Sequence, residues 1–161
     1  MRLFAILVLW SCIGLLAGCA NPRSLVVGES TLADVKARIG TPTETRVDRS
    51  GDQLWDFATG PEGFETYRVR IGSDGKVKEV TQLLTWDRFD RIAPGTMAKA
   101  DVKELLGPPF DETSYGAGLT WSWRLKVFGV NPGYYAVSFN PDGTVRSKSV
   151  IIDPTGGGPE D

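Results

Sequence analysis

The sequence contains no histidine. That removes the imidazole general base, the Ser-His and Cys-His nucleophiles, and histidine as a metal ligand. Carboxylate-only and Ser-Lys chemistry stay open on composition, but no spacing calls for either. Cysteine is nearly as scarce, with Cys12 and Cys19 close to the amino terminus and none after them. No disulfide can therefore staple the body of the chain, and its core must hold by packing. A basic block is also missing. The 18 Lys and Arg stand mixed among 20 Asp and Glu, for a net charge of −2. That balance argues against nucleic acid as a partner and against a polybasic membrane patch. No glycine-rich phosphate loop is present, since Gly156-Gly157-Gly158 precedes no helix.

What is present begins with Met1 to Cys19. Arg2 gives a positive start, Leu3 to Leu16 carries no charge, and Leu16-Ala17-Gly18-Cys19 closes the run with small residues and a thiol. A charged n-region, a short apolar h-region and a small-residue cut describe an export signal, too short to span a bilayer as a mature helix. Leu-Ala-Gly-Cys resembles the lipobox of bacterial lipoproteins. The resemblance implies cleavage before Cys19, a lipid on its sulfur and acylation of its new amino group. The competing readings are an ordinary secretory signal with an incidental cysteine, or an uncleaved anchor. Several acyl chains on one residue would hold firmly, since each buried methylene adds about 0.8 kcal/mol.

The body of the chain repeats itself. Gly28 to Pro42 and Gly95 to Pro109 align at a constant offset, with Gly, Ala-Asp-Val-Lys, Gly and Pro coinciding and Ile39 matching Leu106. Each copy is followed by an aromatic pair (Trp55 and Phe57, then Trp121 and Trp123) and later by an Asp-Gly turn (Asp74-Gly75, then Asp142-Gly143). Thr31 with Asp34 reads as a capping box, Leu32, Val35 and Ile39 as an apolar stripe, and Gly40 before Pro42 as a stop. In the second copy the stripe is Ala98, Val102, Leu105 and Leu106, with Thr96 as the expected cap. Trp121, Trp123, Leu125 and Val127 alternate with polar residues, as do Tyr67, Val69 and Ile71, and Tyr135, Val137 and Phe139. Period two marks half-buried strands, and Asp-Gly marks hairpins.

The expected fold is α+β: two tandem units, each one helix on a three-stranded antiparallel sheet, forming a two-layer sandwich. The expected organisation is a signal peptide over 1–18, a tether over 19–27, a first unit over 28–86, a second over 87–152 and a disordered tail over 153–161. Each unit has about 60 residues, a size that is marginal alone.

A lipobox, a capped helix ending in hydrophobe-Gly-x-Pro, a Trp-x-aromatic pair, then a strand and an Asp-Gly hairpin resemble the SmpA/OmlA (BamE-like) lipoproteins. The pairing of two units is similar in layout to the beta-lactamase inhibitory proteins. The first resemblance implies an outer-membrane lipoprotein facing the periplasm, in a family whose best-known member is an accessory subunit of the machine that inserts outer-membrane barrels. Ala20 after the cysteine, where Asp is usually associated with inner-membrane retention, accords with delivery to the outer membrane. The two units here, against one in that member, leave the role open.

Cys19 is the expected lipid-attachment residue. Trp55, Phe57, Trp121 and Trp123 read as core beneath a helix. Phe128 and Tyr134, in the loop Phe128 to Tyr135, are candidate partner contacts, as is Phe64 in the matching loop Gly60 to Phe64. The other reading places these aromatics at the sheet edge or between the units. Asp87, Arg88, Asp90 and Arg91 read as a solvated face, and the Asp-Gly pairs as turns, since the other positions of a calcium loop are missing. No catalytic, cofactor or metal site is expected. The function expected is a non-catalytic scaffold that binds an envelope protein, with a periplasmic hydrolase inhibitor as the alternative. An enzyme would need two converging carboxylates.

Overall fold

The same backbone path is laid down twice. Gly28 at φ 84° and Gly95 at φ 80° use the left-handed conformations that glycine tolerates. Their N–H groups donate to the carbonyls of Val77 and Val145, each at 2.8 Å. The computed structural model describes residues 22–59, 63–116, 118–129 and 131–153. The signal peptide, Cys19, residues 60–62 of the first loop and 154–161 of the tail lie outside the described residues.

A 3-10 turn over Pro22–Ser24 leads to α1 (Leu32–Ile39), then β1 (Glu44–Val47), β2 (Gln53–Ala58), β3 (Thr66–Ile71) and β4 (Val77–Gln82). There follow α2 (Trp86–Asp90), α3 (Lys99–Leu106), β5 (Asp111–Tyr115), β6 (Gly118–Val127), β7 (Asn131–Phe139) and β8 (Val145–Ile152). The strands form two antiparallel sheets in sequence order, β1-β2-β3-β4 and β5-β6-β7-β8.

Local chemistry explains the helix ends. The Thr31 N–H donates to Asp34 Oδ2 at 2.8 Å and the Asp34 N–H returns to Thr31 Oγ1 at 3.3 Å. In the second copy the capping position falls to Ala98, not Thr96, because the Ala98–Thr144 bridge repeats the Thr31–Lys76 bridge. Half of the box survives there: the Ala98 N–H donates to Asp101 Oδ2 at 2.8 Å. Thr96 turns its hydroxyl to the Ala93 carbonyl instead. Both helices stop alike, with Gly40 bonded to the Lys36 carbonyl and Gly107 to the Lys103 carbonyl.

The α+β expectation is overturned. Strands dominate, and each sheet has four strands rather than three. The added strands are β1 and β5, both at sheet edges. Glu-Thr-Arg-Val and Asp-Glu-Thr-Ser-Tyr show no apolar alternation, since their place comes from backbone pairing with β2 and β6 and not from a buried face. Between the two sheets Trp86–Asp90 forms α2, whose Phe89 is buried in the second core together with Ile92 just beyond.

Two separate apolar cores result. Val35 of α1 packs with Trp55, Phe57, Val69, Ile71 and Val77 on one face of the first sheet. Val102, Leu105 and Leu106 of α3 pack with Trp121, Trp123, Val137 and Phe139 of the second. The first sheet is not half-buried as its alternation implies. Arg68, on the face opposite Val69, is also buried, because the carboxyl end of α3 lies against it. The layers thus run α1, first sheet, α3, second sheet.

Candidate functional site

The charged residues between those layers form a seam. Asp56 is fully buried in β2, and its strand register sets it opposite Arg68 of β3. Arg68 Nε and Nη2 donate to the two Asp56 carboxylate oxygens at 2.7 and 2.9 Å, the bidentate geometry that suits a guanidinium. Arg46 of β1 donates to the same carboxylate at 2.9 Å and to Glu104 of α3 at 2.6 Å. Arg68 also reaches the Glu104 carbonyl at 2.6 Å and its carboxylate at 3.0 Å. Arg88 of α2 donates to the Leu105 carbonyl at 3.1 Å. Two guanidiniums therefore cap the carboxyl end of α3, where orphan carbonyls and the helix dipole favour cations. Burial opposes the charge on Arg46, but the bonds to Asp56 and Glu104 outweigh it and raise its pKa.

A second cluster lies on the same face of the first sheet. Arg70 pairs with Asp48 and lies 3.6 Å from Asp52 and 3.7 Å from Glu79, while Lys78 meets Asp52 at 2.8 Å. A cleft of about 340 Å³ opens beside these networks, with Arg68, Arg70, Arg88 and Arg91 in its wall.

The expected contact residues part company. Phe128 stands 80% exposed at the β6–β7 turn, with φ 53°. Phe64 is half-buried and turns back on the second sheet, where the Arg124 guanidinium lies 4.7 Å from its ring centre and the Lys126 ammonium 5.6 Å. Tyr134 is also half-buried, 6.4 Å from the Phe110 ring and opposite Ile151 on β8. Its neighbour Tyr135 faces the core, stacked on Phe89 at 4.2 Å with its hydroxyl bonded to the Phe89 carbonyl. Burial, helped by the Asp90 charge, pushes that phenol up to about 12. Trp55, Phe57, Trp121 and Trp123 are all buried. Cys19 lies outside the described residues. Among the described residues no helix is long and apolar enough to cross a membrane.

Sequence reasoning missed the seam and one apolar end. The signal for the seam was a charge flanked by core residues, Asp56 between Trp55 and Phe57 and Arg68 between Tyr67 and Val69. The apolar end is the close of β8, where Val150, Ile151 and Ile152 are all exposed.

No protein-family model matches this chain, and no curated protein matches it. One solved structure does: the 1.5 Å crystal structure of an extracellular protein containing a SCP domain from Bacillus anthracis str. Ames. The match covers 81% of this chain at 12% identity with a TM-score of 0.31, and spans 44% of that protein's chain. A likeness of that size carries no argument about fold or function.

Proposed function

We propose that this chain is a lipid-anchored, non-catalytic scaffold on the periplasmic face of the outer membrane, binding a protein of envelope biogenesis or outer-membrane protein assembly. Phe128 carries the binding half of this reading. A phenyl ring 80% in water at a hairpin tip forgoes the stabilisation of burial. Its left-handed backbone, at φ 53°, is a strained choice for a bulky residue. Neither feature helps the free chain, and contact with a partner would recover the first. The apolar end of β8 lies at the same end of the second sheet, since Gly133 just past the turn pairs with Ile152. Leu16-Ala17-Gly18-Cys19, with its resemblance to the lipobox, supports the anchored half.

Two experiments test the two halves. A photo-crosslinking residue at Phe128 or Ile151, in the native envelope, is expected to capture an outer-membrane assembly component, while one at exposed Ala37 is not. No adduct at Phe128, together with normal barrel levels in a deletion strain, would sink the binding reading. Radiolabelled palmitate is expected to enter the wild-type protein and not Cys19→Ala. An unlabelled wild type removes the anchor.

A further inference from the structure

The cleft beside the seam holds cations that form no ion pair among the described residues. Three carboxylates share its wall with four guanidiniums, and each is already engaged. Glu104 serves Arg46 and Arg68. Glu79 sits 3.7 Å from Arg70 and accepts the Thr81 hydroxyl at 2.6 Å. Asp101 accepts the Ala98 N–H at the start of α3. Arg68 and Arg70 are each matched further by Asp56 and Asp48. Among the described residues, neither Arg88 nor Arg91 forms an ion pair. Arg88 has five N–H donors and spends one on the Leu105 carbonyl.

The surroundings make that excess costly. Burial lowers the pKa of Arg88 first, and the charges of Arg68 and Arg91 lower it further, while Glu79 and Glu104 restore only part. An anion entering the cleft would relieve the repulsion of Arg88 by both Arg68 and Arg91.

Shape then selects the anion. One guanidinium fork satisfies the two oxygens of a carboxylate. Two forks suit a tetrahedral phosphate, which carries about −1.5 to −2 charge and three acceptor oxygens. The cleft is larger than one phosphate, and Leu83, Met97 and Leu105 supply an apolar stretch of its wall. Its volume of about 340 Å³ falls in the range of small-molecule sites. We propose that this cleft binds a small phosphomonoester, with the phosphate between Arg88 and Arg91 and the organic group against Leu83, Met97 and Leu105. This site is independent of the contact surface at Phe128.

Titration calorimetry on the full chain in detergent micelles tests it, with phenyl phosphate, inorganic phosphate and phenol as probes. Phenyl phosphate is expected to bind saturably, inorganic phosphate about tenfold more weakly because it buries no apolar surface, and phenol not at all. Arg91→Ala, which removes a side chain without an ion pair, is expected to weaken phenyl phosphate at least about tenfold. Arg88→Lys keeps a charge and a donor for the Leu105 carbonyl but loses the fork, and is expected to do the same. Arg146→Ala, on exposed β8, is expected to change nothing. The site is overturned by no saturable heat with phenyl phosphate, by unchanged binding in both cleft variants, or by an equal loss in Arg146→Ala. Equal binding of inorganic and phenyl phosphate overturns the apolar contact.

Discussion

Asp56 shows how much one side chain can be asked to hold. It is fully buried and accepts three hydrogen bonds from two guanidiniums. Replacing such a cluster whole by apolar residues can be neutral, but removing one member leaves buried charge without compensation. Asp56→Asn keeps the shape and removes the charge, so it is expected to cost about 3–5 kcal/mol in urea unfolding. A loss below about 1 kcal/mol would mean that water reaches the seam. Asp48 adds an acid-sensitive contribution. The Ser50 hydroxyl donates to it at 2.6 Å, and this bond does most to pull its carboxyl down to about 2. N–H groups of Ser50 and Asp52 and the Arg70 charge add to the fall, against some desolvation. An unfolded aspartate titrates near 3.9, so the unfolded state binds the proton more readily. The stabilisation is complete above about pH 4 and is lost as pH falls through about 2. Urea midpoints measured from pH 5 to pH 2 are expected to fall less steeply in Asp48→Asn than in the wild type.

Repetition provides an internal control at the level of the element. α1 and α3 both end on glycine, at φ 96°, ψ −144° for Gly40 and φ 76°, ψ −168° for Gly107. These conformations lie in or beside a region that glycine alone occupies, so alanine is expected to cost about 1–3 kcal/mol at either. The neighbours differ. A Cβ on Gly40 meets nothing within 4 Å, whereas one on Gly107 lies 3.0 Å from Leu83 Cδ1 and 3.1 Å from Thr66 Cγ2. Gly107→Ala is therefore expected to destabilise more than Gly40→Ala, because it also pushes α3 off the first sheet. Thermal unfolding of the two variants checks the order. The glycine stops, the Thr31 box and the strands carrying Trp55, Val69, Trp121 and Val137 were legible in the sequence, since each depends on residues a few positions apart. The edge strands β1 and β5 were not, because polar edges take their place from a partner's backbone. Nor was the second face of β3. Arg68 reads as solvated until Glu104, far along the chain, is brought to it. Of the contact residues, Phe128 is exposed in the turn just past β6, while Phe64 folds back onto Arg124, a non-local pairing that no period reveals.

At the scale of the molecule, the two cores do not merge among the described residues. One gathers on the first sheet under α1 and the other between α3 and the second sheet, with Arg46, Asp56, Arg68 and Glu104 lying between them. Each half, at about 60 residues, buries too little to be more than marginal by itself. Apolar contact is cohesive without regard to direction, whereas an ionic seam holds only while its geometry is intact. The halves also touch where Leu84 packs against the second core and Phe64 meets Arg124, so these charges and the capped end of α3 are one of the routes by which they cooperate, and the one a single substitution can cut. The wild type is expected to unfold in one transition, with calorimetric and van't Hoff enthalpies in agreement. Arg68→Ala removes the link that touches both Asp56 and the Glu104 carbonyl. It is expected to split the transition, so that Trp55, in the first core, reports a midpoint different from that of Trp121 and Trp123 in the second. Variants retaining tryptophan in one core at a time make the two signals separable. If Arg68→Ala only shifts a single transition while both reporters still move together, the coupling runs through packing that the seam does not control.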